Sequence, residues 1–149
     1  MTVGPRLSVR GIVLRDGRLL MVNAWPDGRS DLICAPGGGV DRGQSLPDNL
    51  VREIHEETGL IVRVGPVVLV NEFHDPAGTF HQVDVYFRCQ LVSGDPDGEW
   101  TDVGGVVTRT LWLTRDELAR HRYKPDSLPD VAWGNGGEVA YDALEPIVR

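Results

Sequence analysis

The chain has 149 residues, of which 41% are hydrophobic and 25% are charged, a composition typical of globular proteins. This length corresponds to one domain spanning residues 1–149. The formal net charge of -7 argues against non-specific binding to nucleic acid polymers or to anionic membranes, since both need surfaces rich in Lys and Arg, but it leaves room for a local basic pocket.

The ends and the cysteines of the chain predict a cytoplasmic protein. Early charged residues interrupt any signal-peptide apolar core. No uncharged stretch approaches the roughly 20 apolar residues of a membrane span. The two cysteines, Cys34 and Cys89, form no Cys-x-x-Cys pair for zinc or redox chemistry, and Cys89 is interpreted as a buried structural thiol.

The beginning of the chain predicts short strands joined by tight turns. Leu7–Leu14 is a loosely alternating strand, and Asp16-Gly17 is a hairpin signal that returns the chain through Arg18–Trp25. Pro26-Asp27-Gly28 predicts a turn. A short apolar strand is expected at Leu32–Ala35.

A glycine-rich turn precedes the longest predicted helix. No regular element is expected in Pro36-Gly37-Gly38-Gly39. Ser45 opens a helix that runs to about Thr58, with Asp48 three residues further on as a variant of the capping box. Gly59 suits a left-handed C-cap.

The second half of the chain predicts more strands and a short helix. Leu60–Phe73 is strand-like but is expected to break at Gly65-Pro66. His81–Leu91 alternates cleanly, which predicts a half-buried strand with one apolar and one polar face. Val106–Leu113 is a further strand, and Thr114–Glu117 is a capping box. The polar face of the alternating strand carries Gln82, Asp84, Tyr86, Arg88 and Gln90. Strands around one long helix, followed by a strand and a second helix, predict an α+β or α/β/α domain.

The long predicted helix carries a stripe of carboxylates. At about 100° per residue, Glu53, Glu56 and Glu57 fall within an arc of roughly 100°, beside an apolar stripe that includes Leu50 and Ile54. The three carboxylates repel one another. Mg²⁺ or Mn²⁺ would relieve that repulsion and keep coordination sites open for phosphate oxygens. A glutamate-rich helix face taken alone also fits a solvated surface, but the glycine turn before the helix favours a metal site.

The same segment resembles a known motif. Gly38 is followed by five residues, then Gln44, then seven residues, then the run from Arg52 to Leu60 with sequence Arg-Glu-Ile-His-Glu-Glu-Thr-Gly-Leu. This resembles the Nudix box, which is Gly, five residues, Glu, seven residues and Arg-Glu-aliphatic-any-Glu-Glu-any-Gly-aliphatic. Only Gln44 departs from the pattern. The resemblance implies an α+β fold of the Nudix type, an α/β/α sandwich around a mixed β-sheet.

The resemblance also implies an activity, a metal and a ligand class. It implies hydrolysis of a diphosphate linkage in a nucleoside diphosphate derivative or nucleotide, with water attacking phosphorus. Glu53, Glu56 and Glu57 would hold Mg²⁺ or Mn²⁺, and a backbone carbonyl near Gly37 would complete the metal's ligands. Glu53 is the predicted general base, and Arg52 is predicted to orient Glu53 or its neighbours through bidentate hydrogen bonds.

Some alternatives stay open on the sequence alone. Glu99 is an alternative base on a later loop, although an exposed acidic turn also explains it. Gln44 carries no charge, so the chain could instead be a non-catalytic, ligand-sensing Nudix-like domain. The oligomeric state is also open, and a homodimer is one of its possibilities.

Aromatic and histidine side chains outside the motif have weaker interpretations. The histidines His74 and His81 fit no zinc spacing. Four aromatic residues could stack on a nucleobase or could belong to the core or its rim. These residues are Trp25, Phe73, Phe80 and Tyr86.

Overall fold

The computed structural model of the protein describes residues 4–26 and 28–149, and within them the strands form one nine-stranded sheet. The strands are β1 (Arg6–Arg15), β2 (Arg18–Asn23), β3 (Ile33–Cys34), β4 (Gly37–Gly39), β5 (Ile61–His74), β6 (His81–Ser93), β7 (Thr110–Leu113), β8 (Ala140–Tyr141) and β9 (Glu145–Pro146). The helices are α1 (Leu46–Thr58), α2 (Arg115–Leu118) and α3 (Leu128–Ala132).

The sheet is mixed and has a hydrophobic core on each face. Its main strand order is β3-β2-β1-β6-β5-β8, with β1 parallel to β6 and β6 antiparallel to β5. On one face α1 buries Leu50 and Ile54. On the other face Leu118 of α2 and Leu128 of α3 are buried against Ile12 and its neighbours. Helix, sheet and helix therefore form three layers, which confirms the predicted α+β fold.

Helix α1 forms where its end signals predict. The Ser45 Oγ accepts a hydrogen bond from the Asp48 N–H at 3.1 Å. Gly59 has φ 75° and donates its N–H to the His55 carbonyl at 2.8 Å. Both capping residues thus form hydrogen bonds with backbone groups that have no partner within the regular helix.

The prediction that Pro36–Gly39 holds no regular element was wrong. Gly37–Gly39 forms β4, which pairs antiparallel with Ser8–Arg10 of β1. Gly37 has φ 153°, and a Cβ there would lie 1.9 Å from the Val9 carbonyl oxygen. The glycines are needed because the two backbones approach more closely than a side chain allows.

The predicted break at Gly65-Pro66 was also wrong. Strand β5 continues through these residues, and its pairing with β6 shifts register between Val64 and Val67. A proline has no N–H to donate to a ladder, and a register irregularity is one of the places where a strand tolerates it. Gly65-Pro66 therefore shifts the register of the strand pairing without ending the strand.

The strand predicted at Val106–Leu113 is shorter than expected. Strand β7 begins only at Thr110, because side chains bind the preceding backbone N–H groups. Asp102 accepts from Val106 and Val107, and Asn23 accepts from residues 108 and 109. Side-chain acceptors thus replace the neighbouring strand as hydrogen-bond partner.

Other local predictions have mixed outcomes. The Asp16-Gly17 hairpin is confirmed, with φ 51° and 75° at its two residues. The capping box of Thr114 and Glu117 is confirmed at the start of α2. The turn predicted at Pro26-Asp27-Gly28 falls on Asp27, which lies outside the described residues. Among the described residues, no helix has the length and apolar character that a membrane crossing requires.

Candidate active site

The glycine strand β4 and helix α1 bring two glutamates against the sheet. A Cβ on Gly38 would lie 2.6 Å from the Cδ of the Glu53 carboxylate, so this carboxylate occupies the space beside the glycine. The Gly37 backbone lies close enough to the Glu57 carboxyl to lower its pKa. The structure therefore brings together three of the predicted site residues, Glu53, Glu57 and Gly37.

Glu57 is a buried carboxylate in an unfavourable setting. Burial raises the pKa of its carboxyl to about 8, with Arg10 lowering that pKa and Glu53 and Asp102 raising it. Its Oε2 is buried and has no hydrogen-bond partner among the described residues. Burial also raises the pKa of Glu53, against the effect of Arg52. An unpartnered carboxylate oxygen beside a second carboxylate is an environment that a cation would stabilise.

Arg52 of α1 contacts two glutamates of its own helix and two residues that precede the helix. Its Nη1 lies 3.2 Å from the Glu56 Oε1, and its Nη2 lies 3.5 Å from the Glu53 Oε1. Its Nε donates to the Gln44 Oε1 at 3.4 Å, and its Nη2 binds the Asp41 Oδ2 at 2.8 Å. Asp41, which the sequence analysis missed, thus supplies a carboxylate to Arg52 close to the neutral Gln44. No spacing pattern would have identified Asp41.

The carboxylates fit a magnesium-type site but do not form a cage. Within residues 4–26 and 28–149, no group of three or more His, Cys, Asp or Glu side chains is arranged to hold a metal ion. Arg52 lies closer to the Glu56 carboxylate than to that of Glu53, and Glu53 and Glu57 are neighbouring carboxylates. Mg²⁺ usually binds one or two carboxylates and completes its coordination with water and phosphate oxygens. The pair and its unpartnered oxygen fit such an ion.

The loop acid that faces this pair is Asp102. Glu99 is exposed, whereas Asp102 is buried and acts electrostatically on Glu57. The Asp102 carboxylate also accepts the N–H groups of Gly104, Val106 and Val107 at 2.8–3.1 Å. Sequence analysis missed Asp102 because its burial depends on the folded path of the loop.

A cavity of about 420 Å³ opens on the sheet. It lies on the face that carries Tyr86, opposite the face against which α1 packs. It is lined by the four aromatic residues whose role the sequence left open, Trp25, Phe73, Phe80 and Tyr86. Its charged lining residues are Arg6, Arg10, Lys124, Arg149, Asp84 and Glu145. Four cationic and two anionic side chains give the cavity a positive balance in an acidic chain, which suits an anionic ligand with a flat ring.

Two arginines of β1 line the cavity, and one of them also acts on a carboxylate of α1. The Arg6 guanidinium packs on Gly39, where a Cβ would lie 2.7 Å from its Nη2. The Arg10 Nε lies 3.9 Å from the Asp84 Oδ2 in the cavity, and its charge also acts on Glu57. Arg10 therefore lines the cavity and also acts electrostatically on a carboxylate of α1. The alternation of β1 places Arg6 and Arg10 on one face, but no sequence pattern indicated that this face lines a cavity.

Comparison with protein families identifies the fold and the motif together. The model of the NUDIX domain matches residues 4–133. The chain belongs to the Nudix family. The resemblance drawn from the segment between Gly38 and Leu60 is therefore confirmed at the level of the family.

Two curated relatives are similar to this Nudix chain over part of their length. An ADP-ribose pyrophosphatase from Methanocaldococcus jannaschii is 30% identical over 91 residues, which are 61% of this chain and 54% of that protein. A MutT-like protein from Streptomyces ambofaciens is 32% identical over 114 residues, which are 76% of this chain and 66% of that protein. The chain thus spans about half to two thirds of these relatives.

A solved structure supports the Nudix fold over nearly the whole chain. An ADP-ribose pyrophosphatase from Streptococcus suis superimposes with a TM-score of 0.68 and covers 93% of this chain and 100% of its own. Its sequence identity is 23%, so the likeness concerns the fold alone. The layered architecture predicted from the Nudix resemblance is confirmed by this match.

Proposed function

We propose that this Nudix domain hydrolyses a diphosphate linkage in a nucleoside diphosphate derivative, with a divalent cation bound at α1. The observation that carries the proposal is the Glu57 carboxylate, buried beside Glu53 with its Oε2 unpartnered. A carboxylate held in this way costs free energy until a cation binds it. This cost supports the proposal that the Glu57 carboxylate is a ligand of a cation.

The cavity supports the ligand class. Its aromatic lining suits stacking on a nucleobase, and Arg6 and Arg10 suit a diphosphate. Arg10 also acts electrostatically on Glu57 of α1. The relative from Methanocaldococcus jannaschii is named an ADP-ribose pyrophosphatase, which supports a nucleoside diphosphate joined to another group as the substrate.

The side chains have separate tasks in the proposed reaction. Glu53 and Glu57 would hold Mg²⁺ or Mn²⁺, with Glu56 and a carbonyl near Gly37 as the further predicted ligands. When bound, such an ion neutralises the diphosphate, polarises phosphorus and lowers the pKa of a bound water. Glu53 accepts the proton of the attacking water, and Arg52 holds the Glu53 carboxylate in place.

A substrate panel with matched variants tests the proposal. Nucleoside diphosphate sugars, ADP-ribose, dinucleotides and nucleoside triphosphates are incubated with Mg²⁺ or Mn²⁺, and products are separated by chromatography. Glu53→Gln and Glu57→Gln should each lower turnover of the best substrate by at least about a hundredfold, whereas Glu138→Gln, at an exposed position, should leave it unchanged. Full turnover in both site variants contradicts the assigned roles.

Gln44 supports a second candidate, a nucleotide-sensing domain that binds without cleaving. The side chain of Gln44 offers Arg52 a neutral oxygen at 3.4 Å in the position of a glutamate. Asp41 weakens this candidate, because its carboxylate lies 2.8 Å from the same guanidinium and compensates for the missing charge. A sensing domain would show saturable nucleotide binding and no product on long incubation, and Gln44→Glu would then raise the rate strongly.

A further inference from the structure

The floor of the cavity is a polar patch on three adjacent strands. In the register of the sheet, Ser8 of β1 lies beside Asp84 of β6, and Asn71 of β5 lies opposite Asp84 on the other side. Asn71 and Asp84 both line the cavity and are only 2% and 4% exposed. Directly opposed residues on neighbouring strands point to the same face of a sheet, so these two side chains lie side by side.

A chain of hydrogen bonds fixes the Asp84 carboxylate. The Arg6 Nη1 donates to the Gln82 Oε1 at 3.3 Å, and the Gln82 Nε2 donates to the Asp84 Oδ1 at 2.7 Å. This arrangement uses both ends of the glutamine amide and determines which end faces the carboxylate. The Asp84 Oδ2 lies 3.9 Å from the Arg10 Nε, which is too far for a hydrogen bond.

Asn71 is oriented by a second set of carboxylates. Its Nδ2 donates to the Asp142 Oδ2 at 2.9 Å and to the Glu145 Oε1 at 3.4 Å. Both of its N–H groups are therefore occupied, and its Oδ1 is left as an acceptor. Within the described residues no hydrogen bond to that oxygen is found. Two fixed oxygens of neighbouring strands, from Asp84 and Asn71, thus remain available as acceptors at the floor of an aromatic-lined cavity.

We propose that Asp84, together with Asn71, determines specificity by accepting hydrogen bonds from an amino group on the nucleobase of the substrate. The inference rests on the proposed function, which makes the ligand a nucleotide derivative. An amino group on adenine, guanine or cytosine donates to these oxygens. A carbonyl oxygen at the same ring position would instead face the carboxylate of Asp84 with no proton between them, which is unfavourable in a buried site.

Matched nucleotides test the proposal without any turnover. Binding of ADP, GDP, IDP, CDP and UDP is measured by calorimetry in the presence of EDTA. ADP and IDP, or CDP and UDP, differ by an amino group replaced with a carbonyl, and GDP differs from IDP by its 2-amino group. In at least one of these three pairs, the amino-bearing member should bind about tenfold or more tightly, as expected when a buried acceptor loses its donor.

Asp84→Asn gives the second arm of the experiment. An amide at this position can present either an N–H or a carbonyl, so the preference for the amino-bearing nucleotide should fall to about threefold or less. Asp130→Asn is the matched control, because Asp130 is an exposed carboxylate that pairs with Arg115 away from the cavity lining. The control should retain the full preference of the wild-type protein.

Two results overturn this specificity role. The first is wild-type protein that binds both members of every pair equally, and this result is decisive even if Asp84→Asn fails to fold. The second is a folded Asp84→Asn protein that keeps the wild-type preference. Because binding is measured without metal, absence of hydrolysis in the substrate panel would count against the proposed function and leave the amino-group preference standing.

Discussion

Gly38 is the residue on which the position of the Glu53 carboxylate depends. The space that a Cβ would need at this position is taken by the Glu53 carboxylate, whose nearest atoms would lie 2.6 Å away. The end of a glutamate is flexible, so a substitution would displace the carboxylate and leave the backbone largely intact. The residue therefore controls chemistry more than stability.

Gly38→Ala should separate activity from folding. The added methyl group displaces the Glu53 carboxylate, and we expect turnover to fall by about 10- to 100-fold, since small misplacements of a catalytic group have effects of this size. The melting temperature should change by only a few degrees. Gly4→Ala is the control, because a Cβ at Gly4 meets no atom within 4 Å. Full activity in Gly38→Ala would show that the position of Glu53 is not critical.

The two cysteines should be unreactive in the folded protein. Burial raises the pKa of Cys34 to about 11, although Arg10 opposes the shift, and burial raises the pKa of Cys89 to about 12. A raised thiol pKa means that little thiolate exists at pH 7.5, and the thiolate is the reactive form. Alkylation by iodoacetamide, followed by mass spectrometry, should be slow at pH 7.5 and fast in urea. Rapid labelling of both thiols in the folded protein would contradict these environments.

At the scale of elements, the sequence predicted those helices and strands whose ends are determined by residues close to them in the chain. Helix α1 was predicted with its cap residues because Ser45 and Gly59 act on backbone groups within a few residues. The β4 strand was missed, because its pairing depends on contact with β1, about thirty residues away in the chain.

The polar face of β6 shows that the burial of cavity residues could not be predicted from local sequence either. Its alternation was predicted, but Gln82 and Asp84 were expected on an exposed face and are in fact 3% and 4% exposed. A central strand is covered on both faces, and the strand's own sequence does not show which residues pack on its polar face. The carboxylates of α1 were therefore predictable from a local motif, whereas the residues that line the cavity become neighbours only in the assembled sheet.

Asn23 should hold the loop that leads into β7. Its side chain accepts the N–H groups of Thr108 and Arg109 and donates to the carbonyls of Trp25 and Val106. Asn23→Ala leaves these buried groups unpaired, and we expect the free energy of unfolding to fall by about 3 kcal/mol. Urea denaturation measures this loss.

An exposed asparagine provides the control for the loop prediction. Asn135→Ala should change the free energy of unfolding by less than about 0.5 kcal/mol, because Asn135 is exposed. Equal effects of Asn23→Ala and Asn135→Ala would mean that the loop is held by other contacts.

At the scale of the whole molecule, the stability of the metal-free fold and the proposed binding of a cation make opposite demands on α1. Helix α1 packs on one face of the sheet, and the cavity, lined by Arg6 and Arg10, opens on the other face. The fold thereby keeps Glu57 buried beside another carboxylate. Proteins commonly accept such local instability where a ligand is to be bound.

Glu57→Gln should therefore stabilise the metal-free protein. The raised pKa means that on folding Glu57 must either take up a proton or remain charged in a buried place, and Gln avoids both costs. The substitution is expected to raise the melting temperature by about 2–4 °C, which corresponds to about 1 kcal/mol in a chain of this size. Added Mn²⁺ should raise the melting temperature of the wild-type protein and leave that of Glu57→Gln nearly unchanged. Scanning calorimetry with EDTA or Mn²⁺ measures both effects. A metal-free variant that melts below the wild-type protein would contradict the strain assigned to Glu57.

Isothermal titration of Mn²⁺ into the protein, with a non-hydrolysable nucleotide analogue present, tests the central claim most directly. The account predicts saturable uptake by the wild-type protein and by Glu138→Gln, with affinity at least about tenfold weaker in Glu53→Gln and Glu57→Gln. Absence of uptake by the wild-type protein, or equal affinity in all four proteins, would show that the glutamates of α1 do not hold a divalent cation.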